Sequence, residues 1–198
     1  MMQGERCGQI VVVSGPSGVG KTTLVERLFE MCPLPLVRSV SATTRQPRGD
    51  EADGVDYHFL APKQFDSLRA EDGFLECFEV FGRGYWYGTL WSEVRAALDA
   101  GKWIVLNIDV HGAAAVTERY DDAITIFVRT ESIEHLRDRL KLRGTDSPAE
   151  VEKRLQRADY EMSMAHRYRY QIVNDDLDRA VIELCNLLTD QWERDKND

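Results

Sequence analysis

Eight consecutive residues, Gly15, Pro16, Ser17, Gly18, Val19, Gly20, Lys21 and Thr22, carry the clearest chemistry in the chain. They fit GxxxxGK[ST] without mismatch, behind a β-branched run and ahead of a helical pattern. Glycines let successive backbone N–H groups converge on phosphate oxygens. The N-terminus of the following helix adds partial positive charge at the same place. Lys21 is suited to neutralise β- and γ-phosphates, and the Thr22 hydroxyl to hold Mg2+. The expectation is a bound nucleoside triphosphate. The motif alone leaves switch, motor, ligase and kinase open.

A second set of residues lies in "SVSATTRQPRGDEADGVDYHF", Ser39 to Phe59. Arg45 and Arg48 flank Pro47 in a stretch with no helical pattern. A planar guanidinium pairs bidentately with phosphate oxygens, so the two arginines can converge on one anion. Tyr57 and Tyr87 offer phenolic donors for its remaining oxygens. Such a site suits a kinase whose acceptor already carries a phosphate. The nearby acids Asp50, Glu51, Asp53 and Asp56 are expected to face water.

The elements that must position these residues follow the pattern strand, helix, strand. "GQIVVVS" (8–14), "WIVLNID" (103–109) and "AITIFVR" (123–129) read as buried parallel strands, and "YQIVNDD" (170–176) as a shorter one. Helices are expected over 21–31, 91–100, 112–120, 132–143, 149–167 and 177–192, with one short helix near 62–70 among the short strands "YHFL", "FLECFEVF" and "WYGT" of residues 40–90. Ser147 to Glu150 reads as a capping box with proline at the first helical position. The fold class is therefore α/β: a P-loop parallel sheet core with a small α+β insertion and a protruding helical hairpin, which the family resemblance given below makes a nucleotide-binding insertion and a helical lid. The core is assigned residues 1–39, 91–131 and 168–198, the insertion 40–90 and the lid 132–167.

The chain has 198 residues, 43% of them hydrophobic, and a net charge of −9. The acidic balance argues against nucleic acid or an anionic membrane surface as a partner. No apolar run is long enough for a membrane span, and the N-terminal residues lack a signal core. Cys7, Cys32, Cys77 and Cys185 are scattered without a CxxC pair, which fits reduced thiols in the cytoplasm rather than a disulfide framework or zinc site.

Several separate stretches together resemble the guanylate kinases: "GPSGVGKTT", "SVSATTRQPR", "GVDYHF", "FLECFEVFG", "YGT", "LNIDVHGA", "RLKLRGTDS" and "IVNDD", in that family's order over nearly the whole chain. The resemblance implies transfer of the γ-phosphate of ATP to GMP, and also to dGMP, with Mg2+, in a monomer or homodimer. It implies that Gly15 to Thr23 bind ATP with Asn174 near the adenine. Arg45, Arg48, Tyr57 and Tyr87 would hold the GMP phosphate. Ser41, Glu76 and Thr89 would read the guanine, with Asp109 supporting that site. Arg139, Arg143 and Arg154 would close from the lid on the ATP phosphates.

The chemistry of guanine supports these assignments. Its N1–H and 2-amino group are adjacent donors that one carboxylate accepts, and the hydroxyls of Ser41 and Thr89 can donate to O6. Adenine lacks that donor pair and would leave buried groups unpaired. None of the four histidines is assigned a catalytic role, because an anionic acceptor needs no general base.

Three features depart from the family pattern: Asn107 in place of a first acid, a lengthened "FGRGYWYGT" segment, and Asp50 in place of glycine. Two other readings stand beside the kinase. A related enzyme with another phosphorylated acceptor would not need Ser41, Glu76 and Thr89 together. A non-catalytic guanylate-kinase-like binding module typically loses part of the phosphate loop, which is intact here.

Overall fold

Continuous β-branched sequence produces strands that bury both faces. Ile10 to Val13 are fully buried in β1 (Gln9–Ser14), Trp103 to Leu106 nearly so in β7 (Trp103–Asn107), and Ile124 to Val128 likewise in β8 (Ile124–Arg129). The computed structural model describes residues 8–80, 84–142 and 148–195. The expected capping box at Ser147 therefore lies outside the described residues.

The main sheet has strand order β2-β7-β1-β8-β9, where β2 is Leu36–Arg38 and β9 is Tyr170–Val173. β2 pairs parallel with β7 (Leu36 opposite Trp103), and β8 pairs parallel with β9 (Ile126 opposite Tyr170). In open sheets of this kind, ligands bind beyond the carboxyl ends of the strands where the order reverses, here beside the central β1. β2 is the strand of this sheet that sequence periodicity does not reveal. It is three residues long and only half-buried, so it lacks the apolar run that marks its neighbours.

Helices occupy the intervals: α1 (Lys21–Met31), α2 (Pro62–Ala70), α3 (Trp91–Asp99), α4 (Val110–Arg119), α5 (Ile133–Leu142), α6 (Pro148–Ser163) and α7 (Leu177–Arg194). The single helix expected over 149–167 instead ends as α-helix at Ser163 and tightens into a 3-10 turn over Met164–Arg167, a common way for the last turn of a helix to satisfy its carbonyls. Asp176 caps α7 by accepting the Arg179 N–H at 2.9 Å.

A second sheet has order β4-β3-β6-β5: β3 (Ala42–Thr43), β4 (His58–Phe59), β5 (Phe74–Val80) and β6 (Tyr85–Leu90). β5 and β6 form an antiparallel pair with an irregularity between Phe74 and Glu76. Ala42, Phe65 and Phe74 make its core, with Leu60, Leu68 and Trp86 packed on it, and the Phe65 and Phe74 rings stack at 4.4 Å.

The chain divides into two compact units. One holds the residues up to Val11 with Pro35–Leu106 and His111–Ala123, and the other holds Val12–Leu34, Asn107–Val110 and Ile124–Asp198. The second sheet lies wholly in the first unit. The phosphate-loop motif, α5 and α6 lie wholly in the second. No helix among the described residues is long and apolar enough to cross a membrane.

Candidate functional site

Chain direction changes sharply where β1 meets the phosphate loop. Gly15 has φ +138°, and a Cβ there would collide with the Val128 carbonyl oxygen, so only glycine fits both the turn and the close approach. Gly20 leads into α1 without any side-chain cap, which leaves the first N–H groups of the helix unclaimed by a capping oxygen. Lys21 folds back over the loop, its Nζ donating to the carbonyls of Gly15 (2.6 Å) and Pro16 (2.9 Å). Burial lowers its pKa to about 8, against the opposing pull of the Glu161 and Asp109 carboxylates. Thr22 is exposed on the first turn of α1, with a long 3.5 Å contact from Asn107 Nδ2 to its hydroxyl.

Three residues distant in sequence pin this loop. Asn174, 4% exposed, donates from Nδ2 to the Val19 carbonyl at 2.8 Å. Arg139 on α5 reaches the same carbonyl from Nη1 (3.3 Å) and the Asn174 carbonyl from Nη2 (2.7 Å). Glu161 on α6 accepts the Ser17 N–H at 3.2 Å. Arg154 sits partly buried on α6. Arg143 lies outside the described residues. Asp109 is close enough to Lys21 for its charge to raise the lysine's pKa.

In the other unit, Arg45 is 6% exposed and almost fully engaged. Its Nε donates to Tyr87 Oη (3.0 Å), Nη1 to the Gln46 carbonyl (2.8 Å) and Glu51 Oε2 (2.7 Å), and Nη2 to Glu51 Oε1 (3.0 Å). The guanidinium also lies 5.1 Å from the Tyr57 ring centroid. Tyr57 is also hydrogen-bonded to the Arg45 side chain, so the arginine is held from several sides. The pair with Arg45 holds Glu51 below the usual carboxylate range, and burial raises Tyr57, which keeps its hydroxyl a donor. Arg48 is exposed, its backbone N–H donating to Glu51 at 2.8 Å.

Asp50, Asp53 and Asp56 are exposed as expected, and Glu51 alone departs from expectation. Glu51 turns inward to Arg45. Asp53 accepts the Phe59 N–H (2.9 Å) and Asp56 the Ala52 N–H (2.8 Å). A segment without ladder bonds must satisfy its N–H groups with side chains, and short acids do this best.

On the hairpin, Glu76 and Thr89 are directly opposed. Glu76 is 4% exposed and accepts the Thr89 hydroxyl proton on Oε1 at 2.6 Å. Thr89 has one hydrogen to give, and it goes to Glu76 rather than outward, so in this structure Thr89 orients the carboxylate. Gly112 makes room for it: a Cβ there would lie 3.1 Å from Glu76 Oε2 and 2.9 Å from the Phe78 ring. Ser41 is held through its neighbours. Its carbonyl accepts the His58 N–H (2.9 Å), and Glu93 accepts the Val40 N–H (3.0 Å) while its other oxygen meets His58 Nε2 at 2.6 Å.

Behind Glu76, Arg119 of α4 donates from Nη1 to the carbonyls of Phe74 (2.8 Å) and Leu75 (3.1 Å), and from Nη2 to both Asp72 oxygens (2.8 Å each). Arg119→Ala is expected to cost about 1–2 kcal/mol of stability, discounted for its partial exposure. Urea unfolding tests this; an unchanged midpoint would show that the anchor carries no load.

Glu93, Gly112 and Glu161 carry no role in the sequence reading, and Glu51 is read there as facing water. An Arg157/Glu161 pair four apart on a helical pattern was the one readable signal among them, and that spacing more often marks a solvated face.

Similarity to known proteins agrees with this geometry. The family model described as guanylate kinase matches residues 7–191. The guanylate kinase of Rhodopirellula baltica is 48% identical over 185 residues, covering 93% of this chain and 88% of that protein. That of Maricaulis maris is 43% identical, covering 95% and 85%. The crystal structure of guanylate kinase from Anaplasma phagocytophilum superposes with a TM-score of 0.77 at 32% identity, covering 94% of this chain and 87% of that one. A shikimate kinase structure from Bacteroides thetaiotaomicron, at 15% identity and a TM-score of 0.53, shares the fold alone. With the family's pattern spanning most of its length and relatives this similar, the chain belongs to the guanylate kinase family.

Proposed function

We propose that the protein transfers the γ-phosphoryl group of ATP to GMP, giving ADP and GDP. The observation that carries this reading is the Glu76–Thr89 pair, a buried carboxylate oriented by a hydroxyl, in the same unit as the Arg45, Tyr57 and Tyr87 cluster. One half of that unit suits a purine with adjacent N–H donors, and the other suits its phosphate.

In this reading Arg45, Arg48, Tyr57 and Tyr87 hold the acceptor phosphate, with Glu51 fixing the plane of the Arg45 guanidinium. Ser41 and Glu76 read the guanine, Thr89 orients Glu76, and Asp109 supports the site. Gly15 to Thr23 cradle the ATP phosphates. Asn174 serves the ATP side by fixing the Val19 carbonyl. Lys21, Arg139, Arg143 and Arg154 neutralise charge on the phosphates. No assigned residue reads the ribose 2′ position, so dGMP is expected as an acceptor as well.

Phosphoryl transfer asks for alignment and charge neutralisation. A GMP phosphate oxygen attacks the γ-phosphorus in line while the β–γ bridging oxygen leaves with ADP. The acceptor is already an anion, so no side chain has to remove a proton. Closure of the insertion and the lid on their nucleotides excludes water and limits idle ATP hydrolysis.

The residues fit Mg2+: the exposed Thr22 hydroxyl is a hard oxygen donor at the start of α1, of the kind this ion takes alongside phosphate and water. Thr22 would hold it, with Asn107 alongside. When bound, Mg2+ draws charge off the phosphate oxygens. The reading also carries a cytoplasmic enzyme, monomeric or homodimeric.

An assay of ADP release with ATP and a panel of GMP, dGMP, AMP, CMP and a sugar phosphate tests the proposal. GMP is expected to dominate; faster turnover with another acceptor would overturn it. Arg45→Ala is expected to raise KM for GMP by about 10–100-fold, the worth of one or two charge-assisted hydrogen bonds. KM for ATP should stay near wild type. An unaltered KM for GMP would remove Arg45 from the phosphate site.

A further inference from the structure

Glu161 is a carboxylate that the mechanism above does not use, and it is only 3% exposed. Acids are almost never buried so fully without a reason. Its place on α6 makes the choice of residue informative. Val151, Leu155 and Ala158 form the buried stripe of that helix, and Glu161 takes the next buried position on it. A leucine there would serve packing alone. The carboxylate instead accepts two hydrogen bonds among the described residues, from Arg157 Nε, one turn earlier, at 3.1 Å to Oε1, and from the Ser17 N–H of the phosphate loop at 3.2 Å to Oε2, and its charge also reaches Lys21. The two oxygens thus join a helix of the lid to the loop that precedes α1, across 144 residues of sequence.

We infer that Glu161 is a positioning residue of the phosphoryl-transfer site. Backed by Arg157, it fixes the Ser17 peptide so that the following N–H groups of the loop are presented to the ATP phosphates. Proline fixes φ at Pro16, but ψ there and the dihedrals of Gly15 and Gly18 leave the Pro16–Ser17 peptide free to turn. A charge-assisted hydrogen bond to its N–H selects one orientation before the ligand arrives. The inference rests on ATP occupying the phosphate loop as proposed above.

The test uses the full chain and three variants, Glu161→Ala, Glu161→Gln and Arg157→Gln. Glu161→Ala is expected to lower kcat/KM for ATP by about 10–100-fold, the equivalent of one hydrogen bond to a charged group. KM for GMP should stay within about twofold, a split that general unfolding would not produce. Glu161→Gln keeps one oxygen for the Ser17 N–H but turns its amide N–H2 toward Arg157 Nε, so it is expected to recover only part of the loss. Arg157→Gln keeps the carboxylate but not its backing and is expected to show a smaller loss of the same kind. In 15N-labelled protein, the Ser17 amide proton is expected to move upfield in Glu161→Ala and less so in Glu161→Gln.

Parallel changes in both KM values, an unmoved Ser17 amide in Glu161→Ala, or wild-type kinetics in that variant would each overturn the inference. Should Glu161→Ala fail to fold, the Gln variants carry the test: wild-type ATP kinetics in Arg157→Gln would overturn the inference. A wild-type chain without ATP-dependent turnover of GMP would overturn the functional reading, and this inference with it. Wild-type turnover with an unaltered Glu161→Ala overturns this inference alone.

Discussion

Lys21→Met is expected to lower kcat/KM for ATP by about 10³-fold, the scale found when a cationic or hydrogen-bonding group aimed at developing charge is removed. The expectation follows from where the amine sits. In the free protein it is desolvated against the loop, hydrogen-bonded to the Gly15 and Pro16 carbonyls and under the charge of Glu161 and Asp109. An incoming phosphate replaces weak neutral acceptors with anionic ones. Methionine keeps the length and apolar bulk of the side chain, so the loop should still fold and a loss would report charge.

The same environment sets a pH dependence. With its pKa lowered to about 8 by burial, Lys21 is cationic below that pH and neutral above it. Because ATP needs the cation, kcat/KM for ATP in the wild type is expected to fall as pH rises through about 8, and this limb to vanish in Lys21→Met. The profile in kcat/KM is the one to measure, since it reports the free enzyme. A variant within tenfold of wild type, or a wild-type profile flat from pH 7 to 9, would refute the assigned role.

Glu76→Gln is expected to reduce the preference for GMP over AMP by about 100-fold or more. The substitution is nearly isosteric, and its carbonyl oxygen can still accept the Thr89 hydroxyl proton. What it removes is the second acceptor. The amide places N–H donors where guanine presents its own N1–H and 2-amino hydrogens, so a matched pair becomes a donor facing a donor. In a site this buried, such a mismatch leaves desolvated groups unpaired. KM for ATP is expected to stay close to wild type. Selectivity measured as the ratio of kcat/KM values for GMP and AMP decides the matter, and an unchanged ratio would take Glu76 out of the recognition site.

The phosphate loop and the central strands were readable because their signals are local. Gly15 to Thr22 are contiguous, and the conformations the loop needs are written in its glycines. β1, β7 and β8 are runs of apolar residues that can only be satisfied in a sheet interior. β2 was not readable, because a half-buried strand of three residues carries no periodic signal. Helix 149–167 was readable as a helix but not its tightening after Ser163, which depends on backbone geometry.

The sequence by itself determined the residue types at the phosphate loop, the alternation of strands and helices, and the presence of an arginine pair beside tyrosines. The tertiary structure decided which groups those residues face. Arg45 meets Glu51 and Tyr87 rather than water, Thr89 spends its hydrogen on Glu76, and Glu161 reaches Ser17. Each of these contacts depends on a hairpin register, a loop closure or the docking of one element on another. Such contacts bring together residues whose separation along the chain bears no relation to their distance in space. Local chemistry is legible in order along a chain, whereas hydrogen-bond partners are settled only once packing has fixed the faces.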